Sequence, residues 1–509
     1  MRSHLRFLEL VALILILLLA AYLRLANVAD NPSWYTDEAT HLNIAYNLTQ
    51  GHVQYLALNQ STLLVARLPL FELLLAGLMR LFGMGILTLR AFTGLLGVAS
   101  IALLYGVARW TGGGRRLALL AALLLAIYPP AVLYSRFGFS YHLLTPLLSL
   151  TYLGLWRYYD RSMPRRWLVL VSLAIGVGAV SDLWMFSLII PALIVVTIRH
   201  WRDALWSLSL MLLPFGLYAA IELITVPQAF LFDLNFTLQR LNQIPLSDQL
   251  STLANNYAVL SSQDGWLVLG LVGLLLLRPI RSQRLCLLLL IGPTILLGRT
   301  VALYSLSFYY MLPLLPFVTL GVAALIDRGA AYIPQLLSAR LPRRFRFGLY
   351  VVLSIVVAMP FVGSTVSLLN QVRTSFNTAI DPFLIQPADA RQAAEFVNQH
   401  TQAADVVIAS PGVAWLLQSN AADFQMSIAA TGRATPHLPA NMPADRFAFD
   451  PDYTRARLVI VDNLWRNWAV PNVAGVSDML RDVETWPRVF RAGAIEVYCN
   501  SRFAACPVR

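Results

Sequence analysis

The chain has 509 residues, of which 58% are hydrophobic and only 13% charged, with a mean hydropathy of +0.64. No soluble fold of this length hides that much apolar surface, so the composition excludes a soluble protein and points to a polytopic α-helical membrane protein. All 38 basic residues are arginine, which removes lysine as nucleophile, Schiff-base former or general base; the net charge of +12 lies mainly in short loops between apolar segments, where it marks topology rather than nucleic-acid binding.

The first apolar run, 8–26, is long for a signal peptide and lacks a small-residue cleavage site, so it reads as a retained first helix. Beyond Arg24 the chain turns polar at Pro32-Ser33-Trp34-Tyr35-Thr36-Asp37-Glu38, with His41 one helical turn past Asp37. Further apolar runs lie near 63–82, 87–108, 117–134, 141–156, 167–180, 183–198, 204–225, 265–277, 285–298, 303–325 and 347–367. The 63–82 run contains Arg67, Pro69 and Glu72 and ends at Arg80, an expensive set for a lipid-facing span. If it lies in the interface instead, the arginine-rich loops all fall on one side. The positive-inside rule then favours eleven spans in the cell membrane, with the N-terminus cytoplasmic and the C-terminus extracytoplasmic. The runs at 167–180 and 183–198 are short for spans.

After residue 370 the composition changes. Residues 388–400 read as helix, 405–409 and 458–461 as strands, and 491–498 as a hairpin or strand. The expected organisation is therefore a membrane module over 1–370 and an extracytoplasmic α/β domain over 371–509. The segment 226–264 reads as a long extracytoplasmic loop. Cys499 and Cys506 sit close together on the same side, where a disulfide or two separate thiols would serve equally. There is no glycine-rich phosphate loop, HExxH or CxxC.

Three groups share the outer face under this topology. The first is Asp37, Glu38, His41 and Arg67-Leu68-Pro69; the second is Ser135-Arg136-Phe137 through Ser140-Tyr141-His142; the third is Arg299, Tyr304 and Phe308-Tyr309-Tyr310. A helix ending in arginine followed by an Asp-Glu pair resembles the GT-C glycosyltransferases, specifically the family-39 branch of protein O-mannosyltransferases and aminoarabinose transferases. Arg67-Leu68-Pro69-Leu70-Phe71 is similar to that family's basic-Pro-Pro-Leu segment. Arg90 to Pro130 resembles its arginine-led helix pair, and Tyr309-Tyr310-Met311-Leu312-Pro313 its late Tyr-x-x-Pro stretch. The resemblance covers residues 8–325.

What the resemblance implies is sugar transfer from a polyprenyl-phosphate carrier to an acceptor (lipid, glycan or protein) at the extracytoplasmic face, with inversion. Asp37 would be the general base and Glu38 its orienting neighbour. Arg67, Arg136 and Arg299 would bind the departing phosphate, with His41, Tyr309 and Tyr310 beside the donor. Two departures stand out: Leu68 replaces the first proline, and Ser140-Tyr141-His142 stands where many relatives carry a second acid. That leaves metal use open, with His142 as the candidate ligand and a divalent metal as the only cofactor in question.

Each residue also has a plainer reading. Thr36-Asp37-Glu38 can simply start a helix, and His41 can be a hydrogen-bonded surface histidine. Arg67 can snorkel to head groups, Arg136 can anchor a helix end, and Tyr309 and Tyr310 fit an interfacial aromatic belt. Trp415, Trp465, Trp468 and Trp486 read as core of the C-terminal domain. A transporter or lipid flippase, or a non-catalytic scaffold or sensor, are the competing functions; the spans show no duplicated halves, which speaks against a transporter.

Overall fold

Hydrocarbon offers no partner to a backbone amide, so a chain this apolar must pair its amides within its own helices. The computed structural model describes residues 2–60, 68–159, 165–241, 245–300, 308–337, 342–376, 381–502 and 506, and most of them are helical. They divide into two compact units: Met1–Asn27, Thr93–Ala219 and Leu241–Ser375 form one, and Val28–Phe92, Ala220–Arg240 and Phe376–Arg509 form the other.

The described residues of the first unit are helical apart from the turns between helices. In chain order the helices are α1 (Arg2–Leu25), α2 (Thr36–Thr49), α3 (Pro69–Phe82), α4 (Ile86–Trp110), α5 (Gly114–Ile127), α6 (Pro129–Ser135) and α7 (Tyr141–Tyr159), of which α2 and α3 belong to the second unit. Among the described residues four helices are long and apolar enough to cross a membrane, and α5 with α6 makes a fifth candidate, bent by 56°. The bend falls at Pro129 and Pro130, where proline starts a helix but cannot continue one. Later helices pack through glycine. A Cβ on Gly273 would overlap the carbonyl oxygen of Gly321, and one on Gly321 that of Gly270, so the Gly265–Leu274 and Leu315–Leu337 helices touch backbone to backbone.

The second unit mixes helix and sheet. Helix α3 has fourteen residues, about 21 Å at 1.5 Å per residue, which is short of a bilayer core. It packs against α2, where Phe71 and Glu72 meet His41, and Leu75 and Met79 are buried. The segment 226–264, expected as a long extracytoplasmic connection, forms helices Pro227–Leu241, mostly in this unit, and Leu246–Gln263, in the first. Its scattered Asn, Gln and Asp hide the helical period, and tertiary pairing of Asp233 (below) replaces what local pattern lacks.

The strands are β1 (Trp34–Tyr35), β2 (Gln54–Tyr55), β3 (Leu58–Asn59), β4 (Leu384–Ile385), β5 (Val406–Ile408), β6 (Asn420–Ala422), β7 (Leu458–Val461), β8 (Arg488–Ala492) and β9 (Ile495–Cys499). The five-stranded sheet runs β6-β5-β7-β9-β8, with β6, β5 and β7 parallel and the β8–β9 hairpin antiparallel at the other side. The fully buried Leu458–Val461 run suits a central strand, parallel to β5 on one side and antiparallel to β9 on the other. Helix Pro387–His400 and strands β5 and β7 match the sequence expectation; β6 and β4 were not expected. Cys499 and Cys506 are joined as a disulfide, and Cys286 is a buried free thiol.

Candidate active site

The turn into α2 sets the site. Tyr35 is extended at φ −92°, ψ 141°, and Glu38, three residues into the helix, accepts the Tyr35 backbone N–H at 2.8 Å. That is the acidic half of a capping box, and the two acids of the first turn also suit the positive end of the helix dipole. The plain helix-start reading therefore applies, but Glu38 does more. Arg90 of α4 grips its carboxylate with both forks: Nε to Oε1 at 2.7 Å and Nη2 to Oε2 at 2.6 Å, with both side chains fully buried.

Arg90 also donates to the carbonyls of Val28 (2.9 Å), Pro32 (2.7 Å) and Ser33 (3.0 Å). One guanidinium thus holds the loop 28–33 and the start of α2 together, using the planar donor set that lysine lacks. Glu38 is committed to that work. Asp37, one residue earlier and about 100° away around the helix, is half-buried rather than sealed in. The two adjacent acids stand in different surroundings, which is the arrangement that lets one hold and the other react.

His41 is not at the surface. It is 1% exposed, its Nδ1 lies 2.8 Å from Glu72 Oε1 of α3, and its ring meets Phe71 edge-on at 4.8 Å. The reason is α3 itself, whose apolar face covers that side of α2. Glu72 Oε2 has no hydrogen-bond partner among the described residues. Arg67, expected beside this pair, lies outside the described residues.

In the helical unit Arg136 is fully buried, and its Nη1 and Nη2 donate to the carbonyls of Leu23, Ala26 and Asn27 at 2.8, 2.8 and 3.2 Å. These are the orphan acceptors at the end of α1, so Arg136 serves there as a helix cap. Arg24 does the same for α5, donating to Leu125 and Ala126 at 2.9 Å each. Arg299 lies in helix Ile280–Thr300, with its side chain outside the described residues, as is Tyr304.

Tyr309 and Tyr310 join an aromatic wall. Tyr309 stacks on Phe139 at 4.8 Å and meets Tyr134 edge-on at 6.1 Å, while Tyr310 meets Tyr141 edge-on at 5.5 Å. His142 is buried below it, with Nε2 2.9 Å from the Tyr134 carbonyl. Among the described residues no group of three or more His, Cys, Asp or Glu side chains is placed to hold a metal ion.

Two residues escaped the sequence reading. Asp381 lies in the same unit as Asp37 and accepts the Phe383 N–H at 3.0 Å; no spacing in the sequence links two positions so far apart. Asp233 is fully buried and takes both forks of Arg446 at 2.8 and 2.9 Å. A lone acid among apolar residues was the available signal there.

Residues 66–227 match the family model described as dolichyl-phosphate-mannose-protein mannosyltransferase. No curated protein sequence matches the chain. Among solved structures, ArnT from Cupriavidus metallidurans in the apo state is 15% identical with a TM-score of 0.64, covering 98% of this chain and 99% of that one. The same protein bound to undecaprenyl phosphate matches with a TM-score of 0.64 over 96% of this chain and 98% of that one. The arabinofuranosyltransferase AftD from Mycobacteria is 18% identical, with a TM-score of 0.55 over 98% of this chain and 40% of that one. At such identities the likeness is one of fold, and the fold is that of the GT-C glycosyltransferases.

Proposed function

We propose, from this GT-C fold and the unequal pair Asp37 and Glu38, that the chain is a membrane glycosyltransferase. It moves a sugar from a polyprenyl-phosphate donor to an acceptor hydroxyl at the extracytoplasmic face. The observation that carries the reading is the division of labour in the first turn of α2: Glu38 is locked by Arg90 and buried, while Asp37 keeps access. The family match at residues 66–227 and the fold shared with ArnT, solved with undecaprenyl phosphate, support the choice of donor class.

In the reaction Asp37 accepts the proton of the attacking hydroxyl, the new bond forms to the anomeric carbon from the face opposite the phosphate, and the carbon–phosphate-oxygen bond breaks. The lipid phosphate leaves as an anion, and cationic forks stabilise it. Arg67 and Arg299 are the residues proposed for that role; Arg136 with its donors on the end of α1 is proposed as support instead. Tyr309 and Tyr310, half-exposed in their aromatic wall, would pack against the donor. The buried pair His41–Glu72 backs α2 from behind.

The test is sugar transfer by purified, detergent-solubilised protein with a panel of radiolabelled polyprenyl-phosphate sugars and membrane extract as acceptor. Wild type turns over with one of them, and Asp37→Asn falls by about a hundredfold or more while remaining folded. Binding of the carriers without turnover by any would favour a flippase or scaffold. Equal activity in wild type and Asp37→Asn would keep a transferase and discard this base.

A further inference from the structure

Parallel strands point their carboxyl ends at one edge of a sheet. Where successive crossovers leave in opposite directions, a crevice opens at that edge and ligands use it. The C-terminal sheet has such a point. From β5 the chain crosses to β6 on one side, then back past β5 to β7 on the other. At that edge Ser410, just past β5, donates its hydroxyl to Asp462, just past β7. Asp462 also accepts the N–H groups of Leu464 and Trp465 at 3.0 and 3.3 Å, and Asp423 after β6 accepts that of Met426 at 2.8 Å. Beyond Asp462 the chain makes a single turn of π-helix, Trp465–Ala469, a wide turn that is rare and concentrates at functional sites. It leaves Trp465 buried and Trp468 half-exposed.

This edge lies against the turn that presents Asp37. Helix Pro411–Ala414 packs on α2, and Trp415 meets Trp34 edge-on at 5.4 Å. Strand β4 pairs antiparallel with β1, Trp34 opposite Ile385 and Tyr35 opposite Leu384. The backbone N–H and the hydroxyl of Thr36 both donate to the Phe383 carbonyl, at 3.0 and 2.8 Å. Arg391 lies over the Trp34 ring at 4.7 Å and pairs with Asp30 at 2.6 Å. From Tyr35, two residues before Asp37, rings run outward in a row. Tyr35 stacks on Phe383 at 5.7 Å, Phe383 meets Trp468 at 5.3 Å, and Trp468 meets His437 at 6.0 Å. Tyr35 is buried, Phe383 and Trp468 are half-exposed and His437 is exposed, so the row surfaces as it leaves the site.

We propose that this row is a platform for the acceptor, and that the acceptor it takes is a saccharide. The inference rests on the chain being a glycosyltransferase with its reaction at the start of α2. A sugar ring has an apolar C–H face, which suits an aromatic ring, and a rim of hydroxyls, which suits neutral donors and acceptors. The row offers both. Gln425 Oε1 lies 3.1 Å from His437 Nδ1, and the exposed Asn467 stands one residue before Trp468. The charged groups of this edge are engaged elsewhere: Asp423 and Asp462 hold backbone N–H groups and Ser410, and Arg391 holds Asp30. What remains for a ligand is ring faces and neutral polar groups, the surface that a sugar matches better than a charged peptide or a bare phosphate does.

The experiment uses the purified full-length protein and the polyprenyl-phosphate sugar that wild type turns over. Membrane extract serves as acceptor in three forms: intact, digested with protease, and oxidised with periodate, which cleaves the vicinal diols of sugars. Transfer survives protease and is lost after periodate. Trp468→Ala raises the amount of intact extract needed for half-maximal transfer by about tenfold, and His437→Ala raises it by less. The half-saturating donor concentration stays at the wild-type value in both, and Trp468→Phe keeps most of the acceptor affinity. Transfer that survives periodate, whether or not protease removes it, overturns this inference and leaves the transferase standing. Acceptor curves of Trp468→Ala and His437→Ala that superimpose on wild type do the same. Wild type that transfers from no donor to any extract overturns the transferase reading and this inference with it. Melting temperatures identify a variant that does not fold, and the exposed His437 supplies the second variant should Trp468→Ala be one.

Discussion

Arg24 and Arg136 of the helical unit, and Arg90 and Arg446 of the second unit, are each no more than 2% exposed, yet they meet different partners. The first two direct their donors at carbonyls where α1 and α5 end. The second two clasp the carboxylates of Glu38 and Asp233. In a helical bundle the polar debt is the row of unpaired carbonyls at helix ends, and a long cation settles it without another charge. In the second unit the requirement is to hold a buried carboxylate, which takes a charged pair with rigid geometry. The contrast teaches that buried arginine among the described residues marks either a helix end or a held acid.

That contrast can be broken by substitution. Arg90→Met leaves Glu38 sealed without its partner and is expected to lower stability by about 3–5 kcal/mol, read as loss of the monodisperse peak and of the melting transition in detergent. The same change with Glu38→Gln added should recover part of the loss, because the stranded charge is gone. Arg136→Met strands neutral carbonyls instead, and the expected loss is smaller, about 1–3 kcal/mol in the same melt. Arg391→Ala removes a pair in which both partners are about half-exposed, and less than about 1 kcal/mol should be lost, shrinking further in high salt. If Arg136→Met proved as damaging as Arg90→Met, the distinction between the two uses of arginine would fall.

Helical character, the strands β5, β7 and β9, and the acid pair at the start of α2 were all legible, because each is written in local period or in charge placed against an apolar background. The partner of Glu38 was not. Arg90 could be seen as an arginine leading a helix, but nothing in a sequence says that it faces position 38 rather than solvent. The sequence offers His41 either a place beside the donor or a hydrogen-bonded place at the surface; the packing of α3 against α2 buries it. The 226–264 segment was read as loop because its hydrophobic residues keep no clean stripe, and Asp233 acquires its meaning from Arg446, a residue in another part of the unit. Strands of two residues such as β1 and β4 carry no periodicity at all. What the sequence withheld in each case was a long-range pairing.

The bond between Thr36 and Phe383 spans 347 positions. Chains are made from the N-terminus and fold in that order as they emerge. The turn bearing Asp37 is therefore synthesised early but acquires its strand partner only after the last apolar helix, Arg343–Arg373, has left the ribosome. Until then Tyr35 and Thr36 lack the backbone that holds them, and the helix that follows starts without its brace. A half-inserted chain would thus be catalytically silent during its own biogenesis, and truncation before residue 383 would give a membrane-embedded product that is inert for reasons of assembly.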